Sequence, residues 1–295
     1  MSGAARHWLA ATRPKTLLAA VGPVVVGTGF AIRDGSAHPF WAALALLAAV
    51  LLQIGTNLHN DWADARHGAD SADRSGPRRV TQSGLLSSRS VLRVAVAVFV
   101  AAAAIGVAGT VRGSWPIAAI TALSIAAGIS YTGGRRPLGY RGLGDIVVLL
   151  FFGPIAVGGT YYIQSLALSA TVAVAGLGPG LLATAILVTN NLRDRESDAQ
   201  VGKHTLAVRF GARFARIEYT VATLVGLGLP TLLLATSGFQ PWHLLPLAAT
   251  PIGLILLARI WRGADGAALN PLLAGTAQLL LLSCALTCIA AITRA

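Results

Sequence analysis

Charge of either sign is scarce in this sequence, and acidic charge is the scarcer. Only 12% of the 295 residues are charged, and 11 residues are acidic, whereas about a quarter of a typical soluble domain is charged. Two cysteines, Cys284 and Cys288, are the whole complement. They lie in an apolar run with no histidine or further cysteine that would complete a metal site. These shortages exclude a disordered chain, a coiled coil and an ordinary cytosolic enzyme.

Hydrophobic residues take the place of the missing charge. They make up 55% of the chain, and the mean hydropathy is +0.67. The net charge of +12 would suggest nucleic-acid binding in a soluble protein. Here the basic residues stand between apolar stretches, so that membrane orientation explains them and no nucleic-acid partner is expected.

Nine stretches are long and apolar enough to cross a bilayer as helices. The predicted crossings are 17–33, 40–60, 90–111, 115–132, 144–163, 168–190, 217–237, 242–261 and 271–292. They lack the alternation of barrel strands. The sequence therefore predicts an all-α, polytopic membrane protein that forms one domain over residues 1–295.

The basic residues orient these nine crossings. With the N-terminus in the cytoplasm, 20 of the 23 Lys and Arg residues fall on the cytoplasmic side and three fall opposite. Such a split follows the positive-inside rule. It predicts an N-in, C-out protein of the inner (cytoplasmic) membrane, with two long cytoplasmic connections at about 61–89 and 191–216.

Seven of the 11 acidic residues cluster in those two connections. In the first, Asn57, Asp61 and Asp64 fall on one helical face at i, i+4 and i+7, with Asn60 in the neighbouring row. In the second, a repeat of four residues makes one face; it comprises Asn190, Asp194 and Asp198. Polar residues at membrane-span ends are functional candidates. The alternative is that these are solvated loop carboxylates paired with nearby arginines.

Two oxygen-rich helix faces at one membrane surface suit Mg²⁺, which prefers hard oxygen ligands and bridges carboxylates to substrate phosphates. The predicted ligands are Asn57, Asp61, Asp64, Asn190, Asp194 and Asp198. Nearby cations that would bind phosphate oxygens are Arg78, Arg79, Arg141 and Lys203. His59 and His67 are poor candidates, because Mg²⁺ avoids imidazole.

On these residues the chain resembles the UbiA superfamily of intramembrane aromatic prenyltransferases. Within it, the 1,4-dihydroxy-2-naphthoate polyprenyltransferases are the most similar, on the stretches 76–84, 131–144, 159–162, 190–203 and 269–271. Arg136 departs from the lysine expected before Pro137 but keeps the positive charge. The resemblance covers residues 57 to 271.

The resemblance implies nine transmembrane helices and a Mg²⁺-dependent transfer of a polyprenyl group from its diphosphate to the naphthoate, with loss of carbon dioxide, in menaquinone biosynthesis. It implies that Asp61, Asp64, Asp194 and Asp198 are catalytic. The substrate-binding residues that it implies are Asn60, Arg78, Arg79, Tyr131, Arg136, Tyr140, Arg141 and Lys203. The expected partners are the polyprenyl diphosphate, the naphthoate and the lipid bilayer, and the site faces the cytoplasm.

Three other readings stay open. Other members of the superfamily act on hydroxybenzoate, homogentisate, haem or chlorophyllide. An ion-coupled transporter also carries intramembrane acids, but near the bilayer midplane and often in an inverted repeat. A phospholipid head-group transferase would use Mg²⁺ too, yet its second acidic motif is missing here.

Overall fold

The computed structural model describes residues 3–66, 76, 79–236 and 238–293. All regular secondary structure in those ranges is helical, as the sequence predicts. The α-helices are α1 (Gly3–Thr12), α2 (Pro14–Arg33), α3 (Pro39–Arg66), α4 (Ser88–Thr132), α5 (Gly144–Leu150), α6 (Ala156–Ser165), α7 (Ala170–Ala175), α8 (Leu177–Arg193), α9 (Arg195–Gln200), α10 (Leu206–Ala235), α11 (Thr250–Trp261) and α12 (Asn270–Ile292). Three short 3-10 helices and one π-helical turn join them: Gly139–Arg141, Pro241–Ala249, Gly266–Leu269 and Phe151–Ile155.

Eight helical segments of the described chain are long and apolar enough to cross a membrane. They are Pro14–Arg33, Pro39–Arg66, Ser88–Thr132, Gly144–Ser165, Ala170–Arg193, Leu206–Ala235, Pro241–Trp261 and Gly266–Ile292. Each predicted apolar stretch falls on one of these segments, and two of them, 90–111 and 115–132, fall on α4. The structure has eight such segments where nine crossings were predicted, because α4 contains two of the predicted stretches and is counted once.

Helix α4 folds back on itself at Ser114. A straight helix of its 45 residues would be about 67 Å long, more than twice the hydrocarbon thickness. At Ser114 the backbone leaves the helical region, with φ 54° and ψ −155°. Gly106 then lies against the side chain of Thr121, and Gly113 lies against Ile117. The two halves of α4 therefore pack side by side as a hairpin.

Glycines set the closest helix approaches. Gly22 and Gly29 of α2 face the side chains of Cys284 and Cys288 on α12, where an added Cβ would lie 2.9 and 2.7 Å from the two sulfurs. Both cysteines are free and act here as packing groups. Small residues at helix contacts are the usual solution in membranes, where no hydrophobic drive holds helices together.

Buried packing is concentrated in one half of the bundle. The main core joins α2, α6, α8, α10 and α12 around fully buried side chains such as Leu182, Tyr219 and Leu280. A smaller core at the other side joins α1, α3 and α4 through Ala11, Leu58 and Val91. The middle of α3 contributes to neither, and this unfilled region between the two cores holds the cavity described below.

The π-helical turn between α5 and α6 brings aromatic residues to that region. Pro154 supplies no backbone N–H, and Gly153 has φ −113° and ψ −113°, so that the regular helix is interrupted. Gly153 packs against Gly176 and Gly180, where an added side chain would meet backbone atoms. The interruption sits beside two cavity-lining rings, Phe151 and Phe152.

Candidate functional site

The first acidic motif lies on the last three turns of α3, which continues to Arg66 and so keeps the motif helical. Asn57, Asp61 and Asp64 are all buried, with 2% to 4% of their surface exposed. The segment is helical, as the spacing predicts, and the burial argues against the alternative of solvated loop carboxylates. Burial at these positions means that every carboxylate oxygen needs a partner.

Backbone groups hold Asp61. Its two carboxylate oxygens accept hydrogen bonds from the backbone N–H of Val80 at 3.2 Å and of Thr81 at 3.0 Å. Leu86 N donates to the carbonyl of Val80 and closes the turn. Asp61 therefore fixes the segment that follows Arg79 onto the end of α3.

Asp64 joins two residues that the sequence singled out. Its Oδ2 accepts from Arg79 Nη2 at 3.0 Å, in an ion pair whose two side chains are both buried. Its Oδ1 accepts from the Tyr140 hydroxyl at 3.0 Å. The first motif thus contacts the loop after α4, 76 residues along the chain.

The second acidic motif straddles a helix break. Asp194 ends α8 and begins α9, with φ −95° and ψ 8°. Its carbonyl still accepts from Asp198 N at 2.8 Å, so the two carboxylates stay one turn apart. Both are buried, and Asp198 accepts from Lys203 Nζ at 3.2 Å.

Tyr140 connects the two motifs. Its hydroxyl donates to Asp64, and Lys203 Nζ, which pairs with Asp198, lies 5.8 Å from the centroid of its ring. The backbone carbonyl of Tyr140 accepts a hydrogen bond from His204 N at 2.9 Å. The structure therefore brings both acidic motifs, Arg79, Tyr140 and Lys203 into one chamber.

Arg193 is a site residue that sequence reasoning missed. Its guanidinium grips Asp194 through two hydrogen bonds of 2.8 and 2.6 Å. It also donates to Asn190 Oδ1 at 2.6 Å and to Asn270 Oδ1, at the start of α12, at 3.0 Å. Its position next to an acid at a span end reads as positive-inside charge. The three-residue spacing from Asn190 was the only local signal of another role.

A cavity of about 290 Å³ lies in the bundle, and its lining reaches Asn57 of the first motif. On α3 its lining recurs every three or four residues: Trp41, Leu44, Ala45, Ala48, Ala49, Leu52, Gln53, Thr56, Asn57 and Asn60. From Trp41 to Asn60 this stripe is about 28 Å long, close to the hydrocarbon thickness of a bilayer. Both halves of α4 and the α5–α6 segment complete a predominantly apolar wall.

Asn60 and Tyr131 line the cavity, and Asn60 directly precedes Asp61 on α3. Asn60 Oδ1 accepts from the Thr132 hydroxyl at 2.7 Å. The Tyr131 ring fits between Gly139 and Gly144, and an added Cβ on Gly144 would lie 2.8 Å from its hydroxyl oxygen. Two glycines therefore make the room in which this ring is held.

The remaining predicted residues differ in placement. Arg136 and Arg141 are exposed and, within the described chain, donate to neither acidic motif. Arg78 lies outside the described residues. Asn57 donates to the Thr12 carbonyl at 2.9 Å and to the Thr16 hydroxyl at 3.1 Å, so that its amide also ties α3 to the junction of α1 and α2.

The donor set suits a hard cation that shares its ligands with a substrate. No group of three or more His, Cys, Asp or Glu residues converges to hold an ion within the described ranges. Each motif instead offers a pair of carboxylates one turn apart. Mg²⁺ is usually bound through one or two carboxylates and substrate phosphates, so these pairs fit it.

The sequence and the fold both have known relatives. The UbiA prenyltransferase family model matches residues 20–290. The 1,4-dihydroxy-2-naphthoate octaprenyltransferase of Mycobacterium tuberculosis is 40% identical over 92% of this chain and 91% of its own length. The enzyme of the same name from Escherichia coli is 40% identical over 92% of this chain and 90% of its own.

A solved structure shares the fold. A UbiA homologue from Archaeoglobus fulgidus, bound to DMAPP and Mg²⁺, superimposes with a TM-score of 0.66 at 18% identity, over 95% of this chain and 98% of that one. At this identity the similarity shows the fold alone.

Proposed function

The chain belongs to the UbiA prenyltransferase family, and we propose that it transfers a polyprenyl group from an isoprenoid diphosphate to 1,4-dihydroxy-2-naphthoate. The observation that carries this is that an apolar cavity of membrane depth, lined along α3 from Trp41 to Asn60, ends beside the buried carboxylates Asp61 and Asp64 on the same helix. A substrate with a charged head and a long apolar tail fits both compartments at once. The acceptor follows from the naphthoate activity of the two relatives that are 40% identical.

Asp61 with Asp64, and Asp194 with Asp198, would each hold Mg²⁺, with Asn57 and Asn190 as further oxygen ligands. The bound ions would neutralise charge on the departing diphosphate, which makes it a better leaving group. The protein's part would be to hold both carboxylate pairs near Tyr140, which donates to Asp64 and lies beside the Lys203 that pairs with Asp198. That arrangement lets both pairs act on a single diphosphate.

Cationic side chains complete the head-group site. Arg79 and Lys203 each contact a motif carboxylate and would turn toward diphosphate oxygens once the carboxylates take up cations. Arg78, Arg136 and Arg141 are proposed to bind the same group. Asn60, at the junction, would contact the head group from the cavity side.

Carbon–carbon bond formation then needs no covalent enzyme intermediate. The bond between the prenyl C1 and the diphosphate oxygen breaks, and the electron-rich ring attacks C1. The proton of the attacked ring carbon is released, and the ring carboxylate leaves as carbon dioxide and is replaced by a proton, which gives demethylmenaquinol. Demethylmenaquinone forms from it only in a separate two-electron oxidation by an external oxidant. Tyr131 and Tyr140 would face the developing cation with their rings, and the apolar cavity wall excludes water that would otherwise capture it.

We further propose nine membrane crossings in a single domain, with the N-terminus and the chamber on the cytoplasmic side of the inner membrane. The hairpin in α4 supports two crossings there, because a chain that doubles back at Ser114 returns to the face it left. The acidic residues lie at the ends of α3 and α8, away from the midplane. That position disfavours an ion-coupled transporter.

Substrate profiling with detergent-purified protein tests the function. The protein is incubated with a polyprenyl diphosphate, Mg²⁺ and either 1,4-dihydroxy-2-naphthoate, 4-hydroxybenzoate or homogentisate, and products are followed by mass spectrometry. We expect product and carbon dioxide with the naphthoate only. Prenylation of another acceptor in its place would reassign the chain within the family, and no prenylated product from any acceptor would refute the proposal.

A further inference from the structure

Trp41 stands at the far end of the cavity, the end opposite the acidic motifs. It lies in the first turn of α3 and is the first residue of the cavity-lining stripe that ends at Asn60. A tryptophan near a membrane surface usually serves as an interfacial anchor. Trp115 fits that role, because 76% of its surface is exposed and it is not among the described residues that line the cavity. Trp41, in contrast, is half-buried and forms part of the cavity wall.

Arg112 ties the ring of Trp41 to the neighbouring wall of the cavity. Its guanidinium carbon lies 6.0 Å from the centroid of the Trp41 ring. The same group donates to the backbone carbonyls of Ile163 at 2.9 Å and of Gln164 at 2.8 Å, near the end of α6. Arg112 comes two residues before the break in α4 at Ser114. One side chain therefore joins three segments of the wall where α3 begins, α4 turns and α6 ends.

Branched aliphatic side chains fill the space at the same end. Ile117 and Ile163 both line the cavity. An added Cβ on Gly113 would lie 2.6 Å from Ile117 Cγ1 and 3.1 Å from Ile163 Cδ1, so that the two side chains meet over this glycine. The Tyr162 hydroxyl donates to the Gly113 carbonyl at 3.1 Å and fixes α6 to the turn of α4. Trp41, Ile117 and Ile163 thus form a layer of large side chains at the far end of the cavity, called the end layer below.

The wall between the acidic motifs and the end layer leaves room, because many of its residues are small. Alanine and glycine recur along α3 and both halves of α4, for example at Ala48, Gly106 and Gly128. The stripe from Asn60 to Trp41 is about 28 Å long. An extended chain advances about 1.1–1.2 Å per bond, so that an isoprene unit, with four main-chain bonds, is about 4.5–5 Å long. About six units therefore reach from the first acidic motif to the end layer.

We infer that Trp41 ends the prenyl-tail site, so that the protein discriminates between donors by length only up to about six isoprene units. This inference rests on the proposed function, which assigns the cavity to the prenyl tail. Moving a tail from lipid or detergent into the protein gains little hydrophobic free energy, so each unit contributes through its packing on the cavity wall. Units beyond the end layer have no such wall and add nothing to the affinity.

Competition between donors of different length tests this inference. Detergent-purified protein receives 1,4-dihydroxy-2-naphthoate, Mg²⁺ and equal concentrations of two prenyl diphosphates, and the initial ratio of the two products, measured by mass spectrometry, gives the ratio of the kcat/KM values. Wild type should prefer six units to four by about threefold or more, because two further units pack on the wall. It should use eight units and six units equally to within about twofold.

Trp41→Ala should extend the preference to longer donors. With the indole removed, the next part of the chain packs where the ring stood, so this variant should prefer eight units to six by about threefold or more. Trp41→Phe keeps a large ring in the end layer and should lie closer to wild type. Ile163→Ala opens the same layer from α6 and should shift the ratio in the same direction.

Trp115→Ala is the matched control. It makes the same substitution one residue after Ser114, at the same end of the bundle, but on an exposed ring outside the cavity wall. This variant should keep both product ratios to within about twofold of wild type. A ratio of two products formed in one reaction does not depend on how much folded protein survives, so general damage to the protein does not imitate a shift in length preference.

The outcomes separate this inference from the proposed function. If wild type prenylates the naphthoate but Trp41→Ala keeps the wild-type ratios, or Trp115→Ala shifts them equally, the inference is wrong and the function stands. A wild-type preference that still rises from six to eight units also overturns it, because the chain then finds a wall beyond the end layer. If Trp41→Ala does not fold, Ile163→Ala decides, and unchanged ratios overturn the inference. If wild type forms no product from any donor, the proposed function itself fails.

Discussion

At the scale of single residues, the acidic motifs carry their own counter-charges. Arg193 is the clearest case, because one buried guanidinium makes four hydrogen bonds to Asp194, Asn190 and Asn270. It neutralises Asp194 and ties the end of α8 to the start of α12. The planar guanidinium group of Arg193 allows it to contact three residues at once, and a lysine cannot reproduce these contacts.

Arg193→Lys should therefore weaken both the fold and the ion site. We expect a loss of about 1–3 kcal/mol in the free energy of unfolding, from donors lost to a buried charged group. We also expect a higher Mg²⁺ concentration for half-maximal turnover, because Asp194 is no longer held in place. Thermal denaturation and a Mg²⁺ titration measure the two effects.

Arg195→Lys is the control for that prediction. Arg195 is the next basic residue along the chain, but its partner Glu196 is exposed and the ion pair is 3.6 Å long. Exposed pairs contribute little, so this variant should behave as wild type. Equal effects of the two substitutions would contradict the role given to Arg193.

Asp61 has a structural task as well as the proposed catalytic one. Asp61→Asn keeps one carbonyl oxygen but loses the second acceptor, so one of the N–H groups of Val80 and Thr81 loses its partner. We expect turnover to fall by about two orders of magnitude, from lost charge at the ion site. Stability should fall by about 1–2 kcal/mol.

The losses of turnover caused by Asp61→Asn and by Asp194→Asn should be far from additive in the double variant, because both carboxylates act on one leaving group. Product formation in the two single variants and the double variant measures this. Glu196→Gln is the control, since Glu196 is exposed and lies off the motif faces. A double variant whose loss equals the product of the single losses would place the two motifs in separate sites.

At the scale of secondary-structure elements, the loop between α4 and α5 controls Tyr131. Gly144→Ala places a methyl group at 2.8 Å from the Tyr131 hydroxyl oxygen, so the ring must move into the cavity. We expect turnover to fall about tenfold or more, and stability to fall by about 1–3 kcal/mol through overpacking. Steady-state kinetics and thermal melting provide the measurements.

Gly158→Ala in α6 provides the comparison. An added Cβ there meets nothing within 4 Å, and replacing a helical glycine by alanine stabilises a helix by about 0.5–1 kcal/mol. Turnover should be unchanged. If Gly144→Ala is equally harmless, Gly139 and Gly144 do not position the Tyr131 ring.

The long apolar runs made most helices predictable. The run at 40–60 identified α3, but its continuation to Arg66 depends on the contacts of Asp61 and Asp64 with later parts of the chain. The break in α4 at Ser114 was visible as a charged and prolyl interruption between two apolar runs. Its hairpin geometry comes from Gly106 and Gly113, which pack closely against the second half.

The site was predictable where it is local and not where it depends on tertiary contacts. Helical spacing grouped Asn57, Asp61 and Asp64 correctly. The sequence could not predict the cavity. Many helix faces carry small residues, and only the packing of the bundle determines which of these faces meet. Arg141 was predicted as a nearby cation and Arg136 through the family resemblance, and neither basis tells which side chains of a loop turn inward.

At the scale of the whole molecule, the four motif carboxylates are paired, among the described residues, with three cations, Arg79, Arg193 and Lys203. A diphosphate adds more negative charge, so binding it requires divalent cations. EDTA should therefore abolish turnover, and excess Mg²⁺ should restore it, whereas NaCl at matched ionic strength should not. Full turnover in EDTA would remove the metal from the mechanism and leave Arg79, Arg193 and Lys203 as the groups that neutralise the substrate.

The number of crossings decides where the C-terminus lies. With the N-terminus in the cytoplasm, eight crossings return the C-terminus to the cytoplasm and nine place it outside. The hairpin of α4 and the 20-to-3 distribution of basic residues both favour nine. A C-terminal alkaline phosphatase fusion should accordingly be active, and a C-terminal green fluorescent protein fusion should be dark.

A truncated fusion after Gly263 calibrates that readout. Gly263 follows α11, beside Arg259 and Arg262, on the side predicted to be cytoplasmic, so its fluorescent fusion should be bright and its phosphatase fusion inactive. The two sites are separated by α12 alone, so opposite signals show that α12 crosses the membrane. A bright fusion at both sites would mean that α12 does not cross, whereas fully reversed signals would mean that α4 passes through only once or that the N-terminus lies outside.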